Sequence, residues 1–122
     1  MNGAVGWVDL TVDDADRVAA FYEAVVGWTR HPVAMDGYDD FAMLRSDGEA
    51  VSGVCHARGS NAGLPAAWLM YVNVPDLQAS LDQTRELGGE VLHGPRSLGS
   101  HGSMSVIRDP AGAVLALMGP PS

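Results

Sequence analysis

The sequence has little cysteine and little positive charge. Among its 122 residues, Cys55 is the single cysteine, and seven Lys and Arg residues stand against fifteen Asp and Glu residues. One cysteine cannot form an internal disulfide, so nothing requires an oxidising compartment. The formal net charge is −8. Nucleic acids and anionic membranes both bind clustered basic side chains, so this balance argues against both as partners.

Long hydrophobic runs are also missing. No stretch approaches the roughly 20 apolar residues of a membrane-spanning helix. No basic segment followed by an apolar run is visible after Met1, so no signal peptide is predicted and we expect a cytoplasmic protein. Hydrophobic residues make up 47% and charged residues 18% of the chain. This composition is typical of a globular protein, and the length fits a single domain.

The first half of the chain predicts a strand, a helix and three more strands. Val8–Val12 alternates as a half-buried strand does. Asp13 or Asp14 is suited to cap a helix, which Gly27 would end. The apolar positions of this helix recur at helical spacing at Val18, Phe21, Tyr22 and Val25. The three following strands are predicted at Thr29–Met35, Tyr38–Arg45 and Glu49–His56.

The second half repeats this order. Leu69–Val74 alternates, Asp76 is suited to cap a helix with Leu77 and Leu81 on one face, and Gly88 with Gly89 would end it. Strands are predicted at Glu90–His93, Ser103–Arg108 and Ala113–Met118. Corresponding residues keep an offset of 62 or 63, as Val12 and Val74 do, which independent elements would not. We therefore predict an α+β fold of two tandem βαβββ units, 1–56 and 67–119, with a linker at 57–66.

Each unit alone would leave one sheet face bare. We expect the two sheets to curl into an incomplete barrel that encloses a cup, with the helices outside. The alternation turns Val8, Leu10 and Val12 toward the helix, and a slip of one residue would invert this assignment. The residues predicted to line the cup are Trp7, Asp9, Thr11, Leu69, Tyr71, Asn73, Val114, Ala116 and Met118.

The order and spacing of several motifs carry a resemblance to a known superfamily. The motifs are Trp7–Asp14, Phe21-Tyr22, Gly27-Trp28, Val51–Val54, Trp68–Asp76, Leu87–Gly89 and Asp109–Ala113. Together they resemble the vicinal-oxygen-chelate superfamily, which contains glyoxalases, bleomycin-resistance proteins and extradiol dioxygenases. The resemblance covers nearly the whole chain. It implies the barrel described above and a C2 homodimer.

The resemblance also implies four metal ligands on the first and last strands of each unit, usually His, Gln or Glu. The matching positions here are Trp7, Leu69, Ala116 and, at or near it, Gly53. None of these side chains offers a lone pair suited to a divalent ion. We therefore expect no metal and no other cofactor, and the metal-dependent activities of the superfamily are in doubt.

These observations favour a protein that binds a small, partly aromatic organic molecule in a metal-free cup, for sequestration or resistance. One alternative is a metal-independent lyase, isomerase or cyclase that uses Asp9, Tyr71 or His101. Another is a metal-dependent family enzyme with displaced ligands. The sequence leaves these alternatives open.

The individual side chains have competing interpretations. Trp7 is either a stacking platform for a planar ligand or a core residue. Asp9 is either a general base with a pKa raised by desolvation or a carboxylate paired with Thr11, Asn73 or Tyr71. Cys55 has no activating base beside it in sequence, so a small buried side chain is expected. His101 is placed in a loop at the rim, where it would be solvated or act as an acid or base.

Overall fold

The structure, a computed structural model, describes residues 1–121. Over these residues the chain forms eight strands, two α-helices and two single-turn 3₁₀ helices at Gly59–Asn61 and Gly99–His101. In the first half the elements are β1 Val5–Val12, α1 Ala15–Val26, β2 Thr29–Ala34, β3 Asp39–Leu44 and β4 Ala50–His56. In the second half they are β5 Leu69–Asn73, α2 Leu77–Glu86, β6 Glu90–Ser97, β7 Ser103–Arg108 and β8 Val114–Gly119.

The two halves share one strand topology. The hydrogen-bonding order is β2-β3-β4-β1 in the first half and β5-β8-β7-β6 in the second. In each half the first strand pairs in parallel with the last, and the remaining pairs are antiparallel. The predicted α+β fold with two βαβββ repeats is confirmed.

Contacts divide the described chain into two compact units, which do not coincide with the two halves. Residues 8–68 form one unit, called here the N-terminal unit. Residues 69–121 form the other together with residues 1–7, called here the C-terminal unit. The backbone N–H of Gly3 donates to the carbonyl oxygen of Asn73 (2.6 Å), and the N–H of Asn73 donates to the carbonyl oxygen of Ala4 (2.9 Å). These bonds explain why the first seven residues belong with the second half.

Both helices begin at the predicted aspartates. A carboxylate oxygen of Asp14 accepts a hydrogen bond from the N–H of Arg17 at 3.1 Å, and Asp76 does the same for Ala79 at 3.0 Å. Each carboxylate satisfies a backbone donor that has no partner inside its helix. Helix α1 ends at Gly27, whose φ of 87° is the left-handed conformation that glycine adopts without strain.

The N-terminal unit packs α1 onto its sheet through small helix residues and aromatic side chains. Its core contains Ala15, Ala19, Phe41, Met43 and Val54, with Val12, Val18, Tyr22, Trp28 and Trp68 packed against it. The indole N–H of Trp68 donates to the Tyr22 hydroxyl at 3.1 Å. The periodic apolar residues Phe21 and Val25 are instead 57% and 63% exposed. The helix therefore buries a face centred on alanines.

The C-terminal unit packs α2 onto its sheet through Leu77, Leu81 and Leu117, with Val74, Val91, Ile107 and Leu115 against them. Strand β6 continues to Ser97, four residues beyond the predicted end at His93. Its pairing with β7 shifts twice, between Val91 and His93 and between His93 and Arg96. These irregularities accommodate Gly94 and Pro95 within the strand, where the sequence predicts a break. No helix of the described chain is long and apolar enough to cross a membrane.

Candidate functional site

Asp9 and Thr11 lie on the sheet face of the N-terminal unit that is turned away from α1. Val12 packs against the core beneath α1, and side chains alternate along a strand. The parallel register sets Asp9 beside Gly53 and Thr11 beside Cys55. Thr11 is buried and Asp9 half-buried. This face therefore carries a carboxylate in a partly desolvated position.

The thiol of Cys55 contacts this carboxylate. Its Sγ donates to Oδ1 of Asp9 at 3.6 Å. Burial raises the pKa of the Cys55 thiol, and the negative charges of Asp9 and Asp40 raise it further. Cys55 is therefore a protonated hydrogen-bond donor, unsuited to act as a nucleophile.

Cys55 is not among the partners that the sequence suggests for Asp9. The pairing of β1 with β4 brings the two residues together across 46 positions. The alternation along a strand predicts which sheet face a side chain lies on. Which residue of the adjacent strand lies beside it depends on the register of the two strands. The sequence-based expectation of a raised pKa for Asp9 stays a prediction.

Five of the predicted ligand-binding residues share one sheet face in the C-terminal unit. Leu115 and Leu117 pack with α2, so the alternate residues Ala116 and Met118 of β8 point to the opposite face. The register sets Tyr71 beside Ala116 and Asn73 beside Met118. Leu69 lies two residues before Tyr71 and shares its face. Leu69, Tyr71 and Ala116 are 2%, 7% and 0% exposed.

His101 lies near two of these residues. It is exposed in the 3₁₀ turn Gly99–His101. A cavity of about 230 Å³ is lined by His101, Asn73 and Met118, together with Met1, Asn2, Val74, Pro75, Gly119 and Pro120. The structure thus brings a candidate acid or base next to the polar end of the predicted ligand-binding face.

Trp7 is half-buried and also belongs to the C-terminal unit. Its convergence with Asp9 on one ligand stays a prediction.

His93 is a candidate that sequence reasoning missed. It pairs with Val106, and Val106 pairs with Ala116 beside Tyr71, so a single row of side chains crosses the sheet. Burial lowers the pKa of His93, and the positive charge of Arg96 lowers it further. Within the described residues its Nε2 is buried and has no hydrogen-bond partner. His93 therefore supplies a neutral imidazole to this face.

The signal for His93 lies in its position at the end of a predicted strand. Because the predicted strand ends at His93, the prediction gives His93 no partner on the neighbouring strand. Arg96 lies one row further along β6, beside Met104, and its Nε donates to the Met104 sulfur at 3.3 Å. A prediction that continued the strand through Gly94 and Pro95 would have set His93 and Arg96 beside strand β7.

The donor set does not fit the metal that the superfamily resemblance implies. The corresponding positions are the indole of Trp7, the alkyl side chains of Leu69 and Ala116, and Gly53, which has no side chain. Over residues 1–121, no group of three or more His, Cys, Asp and Glu side chains is arranged to hold a metal ion. The residues at these positions therefore do not fit a divalent metal ion.

The repeated βαβββ topology and the position of the candidate site define a protein of the vicinal-oxygen-chelate class. Residues 7–118 match the glyoxalase-like domain, and the chain belongs to this family.

Relatives and solved structures agree with this assignment. The chain is 33% identical over 126 residues to a protein from Mycobacterium tuberculosis named as glyoxylase CFP32, covering 95% of this chain and 45% of the relative. It is 32% identical over 127 residues to the anthracycline biosynthesis protein DnrV of Streptomyces peucetius, covering 94% and 46%. The chain thus spans about half the length of the curated relatives it matches. A methylmalonyl-CoA epimerase structure from Streptomyces coelicolor, 17% identical with full coverage of both chains, has a TM-score of 0.57. This likeness shows the fold.

Proposed function

We propose that the chain binds a small, partly aromatic organic molecule without a metal ion, for sequestration or resistance. The observation that carries the proposal is the sheet face of the C-terminal unit, where the buried side chains of Leu69, Tyr71 and Ala116 share a face with Asn73. A flat ring would lie against the apolar residues. The amide and the Tyr71 hydroxyl would fix its orientation, because a polar group left unpaired in a buried pose costs about 1–3 kcal/mol.

Two further observations support an aromatic ligand and a metal-free site. The four family ligand positions carry no donor suited to a divalent ion. The name of the relative DnrV places that protein in the biosynthesis of anthracyclines, which contain fused aromatic rings. In our proposal Trp7 stacks on the ligand, Met118 adds apolar contact, and Asp9 and Thr11 are further ligand-binding residues. We further propose a cytoplasmic C2 homodimer, whose mass light scattering would report.

Titration calorimetry of metal-depleted protein with 1,4-dihydroxyanthraquinone tests this proposal. We expect a micromolar Kd at this sheet face, since a ring system removed from water contributes about 25 cal/mol per Å². Trp7→Ala and Tyr71→Ala should each weaken binding at least tenfold, and Asp9→Asn only a fewfold. Arg45→Ala, on the exposed turn after β3, is the control and should bind as the unaltered chain does. Binding that survives both aromatic substitutions would contradict the proposed site.

The second candidate function is a metal-independent lyase, isomerase or cyclase. It is favoured by the name glyoxylase of one relative and by the half-buried carboxylate of Asp9, beside a thiol that donates to it. In this version Asp9 removes a proton from the ligand, Tyr71 or His101 donates its own proton at another atom, and exchange with water then deprotonates Asp9 and reprotonates the donor. Mass spectrometry and chiral chromatography of the recovered ligand would detect turnover. Asp9→Asn should then abolish turnover and leave Kd nearly unchanged.

A further inference from the structure

The C-terminal unit contains a second cavity, on the α2 side of its sheet. Its volume is about 480 Å³, within the range of about 300–1,000 Å³ typical of small-molecule sites. Leu117, Ile107 and Leu87 provide apolar surface, and Ala79, Ser80 and Thr84 of α2 form the facing wall. None of the residues proposed above for ligand binding lines this cavity.

On the side of α2 that borders the cavity, small residues stand where α1 carries large ones, whereas Leu77 and Leu81 replace the alanines Ala15 and Ala19. At the repeat offset of 62, Ser80 corresponds to Val18 and Thr84 to Tyr22. Leu117 and Val54 correspond as well, because each is the parallel partner of an equivalent first-strand residue. These three positions of the two helix–sheet spaces can therefore be compared, whereas Trp28 corresponds to Glu90 and Trp68 has no counterpart.

In the N-terminal unit this space holds aromatic rings. Tyr22, Trp28 and Trp68 pack on the core beneath α1, with ring centroids 5.2–6.0 Å apart. Such spacing is favourable for offset and edge-to-face aromatic contacts. The repeat thus shows that this type of helix–sheet gap accepts a cluster of rings. In the C-terminal unit, leucines pack between α2 and the sheet, and the 480 Å³ cavity borders the side of α2 that carries Ser80 and Thr84.

The charges at its rim restrict the ligand further. Asp76 and Asp109 both line the cavity and are exposed, and each carboxylate accepts backbone hydrogen bonds that require no cation. Arg108, also at the rim, is ion-paired with Glu90. The net field at the mouth is negative, so an anionic ligand would be repelled.

We propose that this cavity is a second binding site, for an uncharged or cationic fused-ring aromatic molecule. The rings insert between α2 and the sheet, against Ile107 and Leu117, in the manner of the aromatic cluster of the N-terminal unit. The site is independent of the function proposed above.

Fluorescence titration with N-phenyl-1-naphthylamine tests the proposal, and 8-anilino-1-naphthalenesulfonate is its matched anionic analogue. We expect the uncharged probe to bind this cavity, and the sulfonate to bind it at least fivefold more weakly. The double variant Ser80→Val, Thr84→Tyr introduces the residues of the N-terminal unit and should weaken binding of the uncharged probe at least tenfold. Glu86→Tyr adds the same ring on the exposed surface of α2 and should change binding less than twofold.

Amide chemical-shift mapping on the unaltered chain provides a test that does not depend on a variant folding. The uncharged probe should shift the amides of Ala79, Leu87 and Ile107, whether or not those of Tyr71 and Asn73 also shift. No binding, equal binding by the folded double variant, or shifts confined to Tyr71 and Asn73 would overturn the proposal. The double variant could also change its association state and keep its affinity for the probe. The cavity would then be an interface between copies, and this result would overturn the proposal as well.

Discussion

The two units share their topology and their helix caps, and they differ in what fills the space beneath the helix. Beneath α1 lie alanines and a cluster of aromatic rings, so the N-terminal unit is filled by its own side chains. In the C-terminal unit three leucines pack between α2 and the sheet, and a cavity borders α2 from Asp76 to Leu87. A repeat can thus conserve hydrogen-bonding pattern and capping while its packing diverges, because pairing and caps are fixed by few residues and packing by many.

The largest effect that separates the two units is expected at Trp68. Trp68→Ala removes a half-buried indole that packs on Tyr22 and Trp28 and donates to the Tyr22 hydroxyl. We expect a loss of about 3 kcal/mol in the free energy of unfolding, typical of Trp truncation in a core. Urea denaturation followed by circular dichroism measures this loss. Ser80→Ala, beside the cavity of the C-terminal unit, should change it by less than about 0.5 kcal/mol. Equal losses would contradict the distinction between the two units.

The N-terminal caps of the two helices should contribute equally to the stability of the two units. Asp14→Ala and Asp76→Ala each remove a carboxylate that accepts one backbone N–H. Each substitution should cost about 1 kcal/mol, and Asp→Asn at either position should recover most of the loss. Asp13→Ala, one residue before the α1 cap, is the control and should be nearly neutral. A loss at only one of the two caps would show that the units depend differently on helix initiation.

The smallest effect concerns acid stability. His93 of β6 corresponds at the offset of 62 to His31 of β2, which is exposed. Because the pKa of His93 is lowered by folding, the unfolded chain binds its proton first. Stability should therefore fall as the pH decreases from about 6.5 through the lower pKa of the folded state. His93→Gln should flatten this dependence in thermal unfolding between pH 7 and pH 5. His31→Gln should keep it, since His93 is still present.

The sequence predicted the secondary structure well because its signals are local. Asp14, Asp76 and Gly27 act within one turn, and alternation shows which side of β1 and β8 faces a helix. The end of β6 was missed because bulges admit Gly94 and Pro95, which normally mark a break.

The candidate site was less accessible to sequence reasoning. The contact of Cys55 with Asp9 and the row from Tyr71 to His93 depend on strand register, which the chain order does not state. The cavity beside α2 was inaccessible for a different reason. It is lined by the small residues Ser80 and Thr84, and the sequence does not show which strand residues lie opposite them.

Two backbone hydrogen bonds, from the Gly3 N–H to the Asn73 carbonyl and from the Asn73 N–H to the Ala4 carbonyl, tie the first residues of the chain to the second half. A peptide cut within 57–66 would separate the C-terminal unit from its own first seven residues. The second fragment would then display unpaired backbone groups at Asn73, an open edge that favours association. Fragment complementation follows as the expected behaviour: the two pieces should fold together when mixed, and the second should aggregate when it is alone. In a rearranged chain, a short linker could join residue 7 to residue 69. The backbone groups of Asn73 would then be paired again within one polypeptide.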